Sequence, residues 1–135
     1  MYFKLNTLLL LLAILFETII TSSARRSNLH VQHHGKATWF YPGVGACGVS
    51  NTSNDLVVSI PAKIFDKFTP HKNPNENTLC GKQVSIEHEG IVIYAVIADR
   101  CSGCSKNNID LSLSAFALLD DPNKGVISVT WKILN

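Results

Sequence analysis

The sequence predicts a compact all-β barrel carrying two brief helices. Three observations carry that expectation. Apolar, β-branched and aromatic residues gather in short runs, as at 35–41 (GKATWFY), 55–60 (DLVVSI) and 91–98 (IVIYAVIA). Turn residues punctuate the gaps, at Pro42-Gly43, at Glu89-Gly90 and across 121–125 (DPNKG). Helical character is confined to two short stretches, one opening after Pro61 and one after Ser112. Many short strands with so little helix fit a sheet closed on itself better than a layered α/β domain.

The chain of 135 residues opens with Lys4, an apolar run over 8–16, and Thr21-Ser22-Ser23-Ala24. A basic start, a short apolar core and a small-residue exit describe a secretory signal peptide over 1–24, cleaved after Ala24. An uncleaved anchor is the competing reading. It fails because the apolar run falls well short of the roughly 20 residues that span a bilayer. The protein is therefore expected outside the cell, in a compartment where disulfides persist.

Residues 25–34 show no apolar periodicity and read as a flexible arm. Its histidines, His30, His33 and His34, are metal-ligand types, but no partner ligand stands at a fixed spacing to them. A copper site using the terminal amine would need a histidine first, and cleavage leaves Arg25 there. No metal or cofactor is expected. The remaining residues, 35–135, form one domain, expected to act as a monomer. The formal net charge is +2 and the Lys and Arg residues are scattered, so no nucleic-acid-binding stripe exists. No later stretch could span a membrane.

The first strand is 35–41. A turn follows, and then the loop holding Cys47-Gly48 and the sequon Asn51-Thr52-Ser53, an acceptor for N-glycosylation. The second strand, 55–60, stops at Pro61, which can open a helical turn over 62–68. A polar loop leads to Cys80-Gly81. Val84 and Ile86 alternate with Ser85 and Glu87 in a third strand, which the Glu89-Gly90 turn folds onto the long apolar strand as a hairpin. The last strand puts Ile127, Val129, Trp131 and Ile133 on one face and Ser128, Thr130 and Lys132 on the other, so Trp131 reads as core.

The most informative stretch is 91–119. The apolar strand ends at Asp99-Arg100, two charges that must reach the surface or pair with each other. Cys101 and Cys104 close a small loop. Ser112 stands where an N-cap belongs, ahead of Leu113, Phe116 and Ala117. Asp110 therefore lies close to a helix N-terminus, where the dipole favours a carboxylate. Two acids flanking one loop are the best candidate site. Each has a structural alternative. Asp110 would serve as a cap accessory, and Asp99 as the partner of Arg100 or of backbone amides.

Four cysteines allow three connectivities. Cys47 and Cys80 each precede a glycine in separate loops and read as a long-range staple worth about 3–4 kcal/mol in the chain-entropy model. Cys101 and Cys104 would then pair locally, fixing the loop between the two acids. Zinc would want a second C-x-x-C or regularly spaced histidines, and a thioredoxin-like site would want a βαβ context. Neither pattern is present.

Five blocks, GKATWFYPGVGACG, LCGKQVSI, IADRCSGC, IDLSLSAF and GVISVTW, run in the order seen in single-domain RlpA-like proteins. Over residues 35–133 the chain resembles this family, which includes the first domain of expansins, fungal loosenins, barwin-type defence proteins and a bacterial secreted papain inhibitor. The resemblance implies a six-stranded double-psi β-barrel. It also implies a groove for cell-wall polysaccharide, glucan or chitin, at Thr38, Asp99 and Asp110, loosened without hydrolysis. Trp39 or Tyr41 would add a stacking platform, since residues along this strand alternate between core and surface. Thr38 is as readily an ordinary strand residue. The expansin aromatic two positions after the first aspartate is here Cys101, and no second, carbohydrate-binding domain is expected.

Glycoside hydrolysis needs two carboxylates across the scissile bond. The resembling hydrolases carry their base in the first-strand segment, but residues 36–44 contain no acid. An enzyme is therefore not expected. Two alternatives stand beside the binding reading. One is inhibition of papain-like cysteine proteases by the loops at 43–48 and 101–107. The other is a lytic transglycosylase acting through Asp110.

Overall fold

The computed structural model describes residues 31–134. The expected signal peptide, its cleavage after Ala24, and the arm as far as His30 lie outside the described residues. No helix among the described residues is long and apolar enough to cross a membrane.

The six strands are β1 (His33–Phe40), β2 (Val57–Pro61), β3 (Gln83–His88), β4 (Ile91–Cys101), β5 (Ile109–Ser112) and β6 (Ile127–Ile133). They close into a barrel in the order β1-β5-β2-β4-β3-β6. The pairs β1/β5 and β2/β4 are parallel, while β5 and β2 meet antiparallel between them. Two parallel crossovers interlocked in this way make the double-psi barrel. Two short helices complete the domain, α1 (Ala62–Phe65) after β2 and α2 (Leu113–Leu119) after β5.

Period-2 alternation builds the core. Ile127, Val129, Trp131 and Ile133 of β6 point inward with Val84 and Ile86 of β3 and Ile93, Ala95 and Ile97 of β4. Burying each large apolar side chain stabilises the fold by about 1.5–3 kcal/mol. The hairpin at Glu89-Gly90 has positive φ at both residues, 46° and 85°, as a tight two-residue turn requires. Ser112 caps α2, its hydroxyl accepting from the Ala115 amide at 3.4 Å. The disulfides are Cys47–Cys80 and Cys101–Cys104, as expected.

The structure departs from the sequence reading at three places. First, β1 begins at His33, so His33 and His34 join a strand instead of a loose arm. His33 stacks on the Trp131 ring at 4.2 Å, and His34 Nδ1 lies 3.0 Å from Thr130 Oγ1. Second, residues 109–112 form a sixth strand where the residues alone read as loop and cap. Third, β4 continues through Asp99 and Arg100 to Cys101. Asp99 and Arg100 both reach the surface, one of the two outcomes expected for them, and no ion pair joins Asp99 to Arg100. The Arg100 guanidinium donates twice to the Asp66 carboxylate, at 2.6 and 2.7 Å.

Candidate functional site

One irregularity in β4 places the site. Val58 of β2 pairs with Ile97 but Ser59 pairs with Asp99, so Ala98 is an extra residue in the ladder. Such a bulge reverses which face the following side chains take. Ile97 and Ala98 are both buried in succession, and Asp99, which strict alternation would turn inward, becomes half-exposed.

Register then aligns four side chains across four neighbouring strands. Thr38 of β1 pairs with Asp110 of β5, Asp110 with Ser59 of β2, and Ser59 with Asp99 of β4. Thr38, Asp110 and Asp99 are half-buried and Ser59 is buried. The row brings together Thr38, Asp99 and Asp110, and adds Ser59. The single polar residue in the apolar run VVSI was the signal for Ser59.

The two acids are held differently. Asp110 Oδ1 accepts the Thr38 hydroxyl at 2.8 Å. Burial pushes the Asp110 carboxyl above its usual range; the Thr38 hydrogen bond opposes this, and the negative charge of Asp99 adds to it. Asp99 Oδ1 accepts two backbone amides, Ala46 at 2.8 Å and Arg100 at 2.7 Å. Among the described residues, neither acid forms a salt bridge. Chemically the row offers carboxylate oxygens that can accept from sugar hydroxyls. Burial makes the Asp110 carboxyl easier to protonate than an exposed aspartate.

The two aromatics expected to offer a platform differ in exposure. Trp39 is half-buried and donates its Nε1–H to the Pro122 carbonyl at 3.0 Å. Tyr41 is 70% exposed and meets the Trp39 ring edge-on at 5.4 Å. Asn51 is half-exposed and lines an apolar cleft of about 560 Å³ with Val49, Leu56 and Val96 beside the Cys47–Cys80 bridge. The sequence reading did not identify this cleft, whose walls converge from four separate segments. No group of three or more His, Cys, Asp or Glu among the described residues could hold a metal ion.

A second polar cluster was also missed. His88 is 8% exposed, with Nδ1 at 2.7 Å from the Ser128 carbonyl and Nε2 at 3.0 Å from Asp120 Oδ2. Lys124 Nζ lies 2.6 Å from the same carboxylate oxygen. Hydrogen bonds from Lys124 and from the Asp121 amide hold the Asp120 carboxyl down to about 2.

No family model matches the chain. The chain is 40% identical over 105 residues to the papain inhibitor of Streptomyces mobaraensis, covering 74% of this chain and 70% of that protein. It is 34% identical over 83 residues to the Allergen Asp f 7 homolog of Arthroderma benhamiae, of which it spans 27%. Among solved structures, it superposes on the Streptomyces papain inhibitor with a TM-score of 0.71 and 36% identity, covering 78% of this chain and 96% of that one. It also superposes on a mutant Clavibacter michiganensis expansin in complex with cellohexaose, with a TM-score of 0.65 and 21% identity over 78% of this chain and 51% of that one. The expansin likeness is one of fold. Barrel topology, disulfides and the inhibitor's identity and coverage converge: the chain belongs to the double-psi β-barrel family that includes the Streptomyces papain inhibitor.

Proposed function

We propose that the protein binds cell-wall polysaccharide, glucan or chitin, across the row formed by Thr38, Asp110, Ser59 and Asp99, and loosens it without hydrolysis. The supporting observation is the Asp110 carboxylate, half-buried, oriented by Thr38 and left without a cation. A desolvated acid of this kind weakens a fold unless a ligand uses it. Tyr41, the residue after β1, supplies the exposed ring for a sugar face. Hydrolysis is disfavoured because residues 36–44, where the resembling hydrolases carry their base, contain no acid.

The test is a pull-down against cellulose, chitin and peptidoglycan, with soluble sugar release measured in parallel. Wild type should bind at least one polymer and release nothing, and Asp110→Ala should bind at least about tenfold more weakly, as expected for losing hydrogen bonds to a charged group. Unchanged binding by Asp110→Ala removes the proposal. Sugar fragments released only when Asp110 is present would instead support the lytic reading.

A second reading, inhibition of a papain-like cysteine protease, is favoured by the 40% identity to the Streptomyces mobaraensis papain inhibitor. Titration of wild type against papain tests it. Both readings place the protein outside the cell, with a signal peptide over 1–24, a barrel domain whose first strand begins at His33, and a glycan at Asn51. Two disulfides suit an oxidising compartment.

A further inference from the structure

We propose that loop 41–49 is the segment that enters the protease cleft, with Val44 as its anchoring side chain and Asp99 as the residue that fixes its shape. This deepens the inhibitor reading and rests on it.

The loop, YPGVGACGV, has no charged side chain, and three of its residues stand out from the surface. Tyr41 is 70% exposed, Val44 76% and Val49 56%. Single exposed apolar residues are ordinary. Three within one short loop that is also rigidly held are not explained by the barrel, since none of them contributes to the core.

The loop is held from several directions. An antiparallel bridge joins Val44 to Ser50, and the Asn51 amide donates to the Gly43 carbonyl at 3.0 Å. The Gly48 amide donates to the Gly45 carbonyl at 2.9 Å, and the Cys47 amide to the Ala98 carbonyl at 3.3 Å. Cys47 is bonded to Cys80. The Ala46 amide donates to Asp99 Oδ1 at 2.8 Å. At Gly45 a Cβ would collide with the Ala98 carbonyl, so the loop sits directly on the β4 bulge.

An exposed apolar tip on a preset backbone suits insertion into a protease cleft. Most of the ordering entropy is lost on folding, so little remains to be lost on binding. A few buried side chains then carry most of the affinity, and Val44 is the most exposed apolar residue of the loop. In this account Asp99 is a positioning residue. It touches the loop and not the protease.

The experiment measures inhibition constants against papain for wild type, Val44→Asp, Asp99→Ala, Asp99→Asn and Leu118→Asp, each with a thermal melt. Leu118, 53% exposed on α2, is the control for adding a surface charge. Val44→Asp should weaken inhibition at least about 30-fold, the scale of a hot-spot loss, with an unchanged melt. Leu118→Asp should inhibit like wild type. Asp99→Ala should weaken inhibition about tenfold, whereas Asp99→Asn, which keeps an oxygen for the Ala46 amide, should restore it. If wild type inhibits and Val44→Asp stays within about twofold of it, the loop assignment is overturned while the inhibitor reading stands. If wild type does not inhibit, that reading fails and takes this one with it. Equal losses in Asp99→Ala and Asp99→Asn, with intact melts, overturn the positioning role.

Discussion

Helix α2 has an aspartate near each end, and the two behave oppositely to what the helix dipole favours. Asp110 lies two residues before the Ser112 cap, at the positive end, yet burial and the nearby Asp99 push its carboxyl up. Asp120 is the C-cap residue, at the negative end, yet Lys124 and the Asp121 amide hold its carboxyl near 2. Around one short helix, the two shifts follow local partners and desolvation. A paired acid such as Asp120 supports the fold. An acid given one hydroxyl and no cation weakens the fold at neutral pH and stays available to a ligand.

The largest expected effect separates the two ends by readout. Asp110→Ala should weaken polysaccharide binding at least about tenfold, the scale of hydrogen bonds to a charged group. Asp120→Ala should bind like wild type in the same pull-down but melt at a lower temperature. If Asp120→Ala loses binding to the same extent without loss of structure, the contrast between the ends breaks down.

A smaller effect concerns the sign of stability changes at neutral pH. Asp110→Asn removes a charge that the folded state disfavours, so its urea midpoint should rise. Asp120→Asn removes a charge that the folded state favours, so its midpoint should fall. Two shifts in the same direction would mean that Asp110 has a stabilising partner after all.

The same opposition should appear in acid. The Asp120 carboxyl is lowered from 3.8 to about 2 on folding, so its contribution is fully present above 3.8 and lost as pH falls toward 2. The Asp110 carboxyl is raised from 3.8, so the stability its neutral form lends is present below 3.8 and lost as pH rises through its folded value. Denaturant midpoints followed across acid pH should therefore show a shallower acid-side fall for Asp120→Asn than for wild type. In Asp110→Asn, the loss on the rising side should disappear.

How much of this was legible depended on whether the cause was local. Alternation in β6, the Ser112 cap and the Glu89-Gly90 turn are short-range, and each was readable. Residues 109–112 alternate apolar and polar over only four positions, too short a run to compete with the cap signal of Ser112. They become a strand by pairing with β1 and β2, more than fifty positions back in the chain. The Ala98 bulge was invisible for the same reason, and with it the direction of Asp99. The acids themselves stood out by type and position. Their partners, the Thr38 hydroxyl and the Ala46 amide, are 72 and 53 positions away. The Asp66 partner of Arg100, 34 positions back, was equally hidden.

The smallest effect tests the hydroxyl that orients Asp110. Thr38→Val keeps a β-branched side chain in β1, so the strand should tolerate it. The variant removes the hydrogen bond that lowers the Asp110 carboxyl, leaving burial and the Asp99 charge to raise it. Net stability should change by no more than about 1 kcal/mol, the usual worth of one hydrogen bond. The more sensitive readout is the Asp110 carboxyl signal in an NMR pH titration, which should move upward relative to wild type. An unmoved titration with an intact fold would show that Thr38 does not tune this acid, and that any loss of polymer binding in the variant comes from a missing sugar contact.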